Sequence, residues 1–161
     1  MSAEFSFRSQ VLPADRQAVR DILESSGFFY PEEVDVAVEL VDERLARGPA
    51  SGYHFDFAEA GGRVGGYTCF GPIACTKASY DLYWIGVRQD LRGTGLGRRL
   101  LGRAEDRIRS LGGSRIYVET SSRPQYEPTR GFYLSSGYRV EAVLEEFYGP
   151  GDGKVIFLKA L

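Results

Sequence analysis

Residues 81–111 place the tightest constraint on how this chain folds. An apolar run, Asp81-Leu82-Tyr83-Trp84-Ile85-Gly86-Val87, is followed by a glycine- and arginine-rich loop and then by a long amphipathic stretch. Seven residues of that character, bounded by polar loops, read as a buried strand. Leu96, Leu100, Leu101, Ala104, Ile108 and Leu111 recur at helical spacing, so one face of the next element is apolar. Gly112-Gly113 closes it. A buried strand feeding a helix requires a sheet for the helix to lie on. The remaining segments supply that sheet. Phe5–Arg8, Tyr53–Glu59, Val64–Phe70, Arg115–Thr120, Tyr138–Phe147 and Lys154–Lys159 read as strands. Gly61-Gly62 signals a hairpin, and Gly71-Pro72 breaks the sheet ahead of a loop to about Ser79. Helices run from Pro13-Ala14-Asp15 to about Glu24, from Pro31 to Gly48-Pro49, and from about Pro128 to Gly137. The order β-α-α-β-β-β-α-β-α-β-β describes an α/β (α+β) domain on one mixed sheet. With 161 residues, 43% of them hydrophobic, the expectation is a single domain over residues 1–161 that needs no staple.

The loop Arg92-Gly93-Thr94-Gly95-Leu96-Gly97-Arg98-Arg99 opens the long helix. Glycines let backbone approach a ligand, and a helix N-terminus offers unpaired N–H groups with partial positive charge. Together they suit phosphate or pyrophosphate. A dinucleotide fingerprint fails because Arg98 stands where its third glycine belongs. A P-loop fails for want of its lysine. What remains is R-x-x-G-x-G, here Arg92, Gly95 and Gly97, set between a strand and a helix, with a second strand–helix unit downstream.

On this loop, and on Gly131-Phe132-Tyr133-Leu134-Ser135-Ser136-Gly137-Tyr138, the chain resembles the GNAT (GCN5-related N-acetyltransferase) superfamily over nearly its whole length. The resemblance implies a mostly antiparallel sheet of about seven strands, splayed between the fourth and fifth, with about four helices. It implies acetyl-CoA as co-substrate, with its pyrophosphate on the amides of Gly93, Thr94, Gly95, Leu96, Gly97 and Arg98. Backbone around Ile85, Gly86 and Val87 is expected to hold the pantetheine. Many members carry Asn seven residues before the tyrosine, whereas Tyr126 stands there in this chain. Thr129 and Arg130 are the remaining candidates for that contact.

The implied reaction is direct attack of an amine on a thioester. Tyr133 is the expected acid for the leaving thiolate, with a core aromatic as the competing reading. Asp81 and Glu119 are the candidates for the base that takes the ammonium proton, set against ordinary strand-end carboxylates. Phe28, Phe29, Tyr30, Tyr83 and Phe147 are candidates for the acceptor pocket. A non-catalytic acyl-CoA-binding module is the rival class, and an enzyme of the same fold using a longer acyl-CoA is another. The resemblance implies a small-molecule or peptide amine as acceptor. Dimers are common in the family, which leaves a homodimer open.

Charge and ligand inventory narrow the rest. Lys+Arg of 20 against Asp+Glu of 22 gives a net charge of −2, unlike a nucleic-acid binder. One histidine, His54, and two cysteines, Cys69 and Cys75, make no zinc pattern. The cysteines read as buried or half-buried thiols, His54 as structural or surface, and Arg98–Arg109 as mostly a solvated helix face. No apolar leader opens Met1–Gln10 and no run approaches a membrane span, so the expected compartment is the cytoplasm.

Overall fold

The computed structural model describes residues 4–161. Met1–Ala3, the start of the segment read as carrying no leader, lie outside them. Seven strands and four helices follow the expected order: β1 Ser6–Arg8, α1 Asp15–Ser26, α2 Pro31–Arg47, β2 His54–Ala60, β3 Arg63–Pro72, β4 Ser79–Val87, α3 Leu96–Ser110, β5 Arg115–Ser121, α4 Glu127–Ser135, β6 Arg139–Gly149 and β7 Asp152–Ala160. The strands take the sheet order β1-β2-β3-β4-β5-β7-β6, with β4 parallel to β5 and the paired neighbours β1/β2, β2/β3, β5/β7 and β6/β7 antiparallel. The chain groups into two compact units, one reaching to Gly71 and including Trp84–Arg107, the other made of Pro72–Tyr83 and Ile108–Leu161.

In the first unit, Val19, Ile22 and Leu23 of α1 and Val34, Ala37 and Val41 of α2 bury their stripes with Phe55, Phe57 and Tyr67 of β2 and β3. Gly27 ends α1 in a left-handed conformation (φ 70°), its N–H returning to the Glu24 carbonyl. Pro31 opens α2, and the Tyr30 N–H donates to Glu33 at 2.8 Å. Leu96 and Leu100 of α3 pack with Phe5 and Ala58, and Ile85, Val87 and Leu91 join them. Arg103 and Arg107 of α3 depart from the solvated face expected of them. Their guanidinium carbons lie 4.7 Å from the Phe7 ring centroid and 5.1 Å from that of Phe70. Arg107 also pairs at 3.0 Å with Asp56, a fully buried carboxylate. The pairing compensates that buried charge through Oδ1, while Oδ2 has no hydrogen-bond partner among the described residues.

In the second unit, α4 covers one face of the β5–β7 ladder. Ile116 and Val118 of β5 and Val155 and Phe157 of β7 are buried there with Tyr133 and Tyr138. The β4–β5 ladder covers only Ser79–Asp81 and Arg115–Tyr117, and β5 continues to Ser121 against β7. Two boundaries and the burial of one cysteine differ from expectation. Gly71-Pro72 ends β3 from within, because a proline is tolerated where a strand leaves the sheet. Leu111 falls past the end of α3 and is exposed. Cys75 is exposed while Cys69 is buried. His54 is half-buried and stacks on Phe70 with ring centroids 5.5 Å apart.

Candidate active site

The first unit carries the phosphate-type loop. The second half of β4 alternates its faces. Trp84 packs against the α1–α2 cluster and meets the edge of Phe29 at 5.5 Å, while Ile85 and Val87 turn to the α3 cluster. Gly86 has no room for a side chain, since an added Cβ would lie 2.9 Å from Ile22 and 3.2 Å from Tyr67. This glycine lets α1 and the Tyr67 ring lie close to the strand. After Val87, the Arg88 N–H donates to the Gly65 carbonyl at 2.8 Å. The Gln89 N–H then donates to the Ser25 hydroxyl at 3.3 Å. A 3-10 turn over Gln89–Leu91 follows, and the Thr94 hydroxyl donates to the Leu91 carbonyl at 2.6 Å.

Gly93 and Gly95 have φ of 78° and 83°, with open space where a Cβ would be. Glycine is needed there for conformation, not for packing. Residues 92–95 are exposed, and Leu96 plugs into the core as the first residue of α3. The helix start therefore presents its first-turn amides outward from an anchored base. Arg92 lies over Phe28, guanidinium carbon to ring centroid 5.5 Å. Open amides, a helix N-terminus and an exposed arginine form a donor set that fits a pyrophosphate.

The second unit carries titratable and aromatic groups on both faces of its ladder. Asp81 pairs in register with Tyr117. Glu119 lies two residues further along β5 and pairs in register with Ile156, with Lys154 two residues away on β7. Period two places these side chains on one face. Lys154 Nζ approaches Glu119 Oε2 at 2.9 Å and the Phe147 ring centroid at 3.7 Å. Asp81 is half-buried, and burial first, then the Glu119 charge, pushes its pKa up to about 6, against the pull of Lys154. Glu119 already has a cation on it. Burial and the Glu119 charge tune the proton affinity of Asp81 toward neutrality.

Tyr133 lies on the opposite face. Its ring contacts Phe157 at 5.5 Å and Tyr138 at 5.7 Å. Phe157 pairs with Val118 and so alternates with the face that carries Glu119. Burial raises the Tyr133 pKa, so the phenol stays protonated through the working range. Arg130 is committed to backbone, its Nη1 donating to the Ser121 carbonyl at 2.7 Å and the Arg123 carbonyl at 3.0 Å. It ties α4 to the end of β5. Thr129 is half-buried beside it, and Tyr126 is buried under the Arg123 guanidinium. Tyr30 and Phe147 are exposed, Tyr83 is partly so, and Phe28 is half-buried.

Lys154 escaped the sequence reading. It looks like an ordinary strand-start lysine until the β5–β7 register sets it beside Glu119. Tyr117 is hidden in the same way, by a strand pairing that its own segment does not reveal.

The model of the acetyltransferase (GNAT) family matches residues 16–138. The chain belongs to the GNAT family. A GNAT-family protein from Desulfovibrio desulfuricans has a solved structure with 48% identity and a TM-score of 0.96, covering 98% of this chain and 99% of that one. A GNAT-fold N-acetyltransferase from Thermoplasma acidophilum, solved with coenzyme A, matches at a TM-score of 0.76 and 16% identity over 98% of this chain and 99% of that one. It shares the fold. Amino-acid acetyltransferases of Pseudomonas paraeruginosa and Azotobacter vinelandii are 31% and 32% identical over 107 residues. Those residues make up 66% of this chain, and the chain spans about a quarter (24%) of those relatives' length.

Among the described residues no helix is long and apolar enough to cross a membrane. Nor, among them, do His, Cys, Asp and Glu side chains gather into a metal-holding group.

Proposed function

We propose that this chain transfers an acetyl group from acetyl-CoA to a primary amine in a ternary complex. The observation that carries the reading is the loop at the start of α3. Its two left-handed glycines and outward amides suit a pyrophosphate, and it stands in a chain of the GNAT family. The solved GNAT-fold neighbour from Thermoplasma acidophilum, which holds coenzyme A, supports the same cofactor.

The chemistry needs two proton transfers around one bond exchange. The amine nitrogen forms a bond to the thioester carbonyl carbon, and the C–S bond breaks. At pH 7 a lysine-like ammonium lies about 4.6 kcal/mol from its neutral form, so a base that accepts its proton accelerates the attack. Asp81 takes that proton, being ionised above about pH 6. Tyr133 gives its proton to the leaving sulfur. Most of the remaining acceleration comes from orientation. Ile85–Val87 backbone and the amides of residues 93–98 orient the acetyl-CoA. In the second unit, Arg130 holds the start of α4, with Thr129 beside it, to the end of β5. Tyr83 and Phe147 of the same unit wall the acceptor.

A thiol-release assay with acetyl-CoA and a panel of primary amines tests this reading. Amine-dependent release of free coenzyme A is the expected result. Tight binding of acetyl-CoA with no release on any amine would instead favour a non-catalytic acyl-CoA-binding module.

A further inference from the structure

The acceptor-facing chemistry of the second unit is specific enough to name a substrate class. Asp81 and Glu119 share a sheet face with Lys154. Two carboxylates and one ammonium leave one uncompensated negative charge. Lys154 is not offered to a ligand, since its side chain is 13% exposed and its ammonium sits on Glu119 at 2.9 Å. The Phe147 and Tyr148 rings close over it, with centroids 3.7 Å and 5.8 Å from the nitrogen.

That enclosure follows from the backbone. Residues 145–148 interrupt the β6–β7 register, and Glu146 takes a φ of 55°. A regular strand would send consecutive side chains to opposite faces. The bulge instead brings both rings to the lysine, where they stand edge to face at 5.1 Å. Tyr117, in register with Asp81, and Tyr83, two residues along β4, extend the aromatic surface around the unpaired carboxylate. Tyr83, Phe147 and Tyr148 are each more than a third exposed.

A cation is drawn to such a surface twice, by the Asp81 charge and by the ring faces. A carboxylate gains nothing there, because Lys154 is covered and already paired, and it meets the Asp81 charge at close range. We infer that the acceptor is a monocationic amine with an aromatic or apolar body and no carboxylate beside the amine, recognised by Asp81 and the aromatic surface around it. The inference rests on the acetyltransferase reading with Asp81 as base. It sets this chain apart from the amino-acid acetyltransferases with which it shares 107 aligned residues.

The test compares kcat/KM for 2-phenylethylamine, phenylalanine and 1,4-diaminobutane with acetyl-CoA, alongside calorimetric binding of acetyl-CoA alone. The expected result is that 2-phenylethylamine exceeds phenylalanine by at least about tenfold, the scale of one unpaired like-charge contact. The Lys154→Met variant exposes the Glu119 charge, so its selectivity ratio should move toward 1,4-diaminobutane by about tenfold. A merely structural lysine would lower all three rates together. Phenylalanine equal to or better than 2-phenylethylamine overturns the inference and leaves the acetyltransferase reading standing. So does turnover of phenylalanine or 1,4-diaminobutane with none of 2-phenylethylamine. Failure of acetyl-CoA to bind overturns the underlying reading itself. If Lys154→Met does not fold, the wild-type ratio decides alone.

Discussion

Replacing Asp81 by Asn separates catalysis from stability in a single variant. The carboxyl is half-buried, with Glu119 as a repelling neighbour, and its pKa rises from 3.8 to about 6. That difference corresponds to about 3 kcal/mol between the charged and neutral forms. Solvent screening of a half-exposed group cuts it to about 1 kcal/mol. The sign follows from proton uptake. Between pH 3.8 and about 6 the folded chain holds the Asp81 proton while the unfolded chain has released it. Stability is therefore lost as pH rises through that window and is not regained above it. Asn carries no charge to bury. At pH 7 Asp81→Asn should raise Tm by about 2–4 °C, the response of a chain this size to about 1 kcal/mol. Below pH 3.8, where both forms are protonated, the gain should vanish. Catalysis should move the other way. Loss of a general base costs about 100-fold in kcat/KM at pH 7, and the deficit should shrink toward pH 9 as the amine sheds its proton unaided. Calorimetry across pH and a thiol-release pH profile read the two effects. A lower Tm at pH 7, or a pH–rate profile matching wild type, would refute the assignment.

Further substitutions probe the other contacts. Tyr133→Phe keeps the ring packed on Phe157 and Tyr138, so kcat should fall about tenfold or more with Tm nearly unchanged. Equal kcat would remove the acid role. Gly95→Ala forces a side chain into a φ of 83° and should cost about 1 kcal/mol of stability, with weaker acetyl-CoA binding by calorimetry. Gly86→Ala drives a methyl to 2.9 Å from Ile22 and should destabilise by about 1–3 kcal/mol in urea melts. Unchanged stability there would mean that β4 and α1 yield easily. Arg92→Ala removes both the loop cation and its stack on Phe28. The KM for acetyl-CoA should rise more than kcat falls.

Much of the fold was legible because local signals agreed with the final packing. The stripe from Leu96 to Ile108, the Gly27 and Gly112-Gly113 stops and the Pro31 start each announced an element that formed. The glycine-rich helix start was legible too, because Gly93 and Gly95 act through their own backbone. What stayed hidden depends on register. Lys154 and Tyr117 join Asp81 and Glu119 only when β5 lies between β4 and β7. No periodicity within one segment encodes that pairing. The arginines of α3 misled for another reason. Long side chains at exposed helix positions can fold back over aromatic rings, as Arg103 does over Phe7.

Calorimetric titration with acetyl-CoA, with NAD as the control, tests the central claim most directly. The account predicts one acetyl-CoA per chain, weakened by Arg92→Ala and by Gly95→Ala, and no heat with NAD. Absence of binding at millimolar acetyl-CoA would contradict it, leaving the glycine loop as no more than the start of a helix.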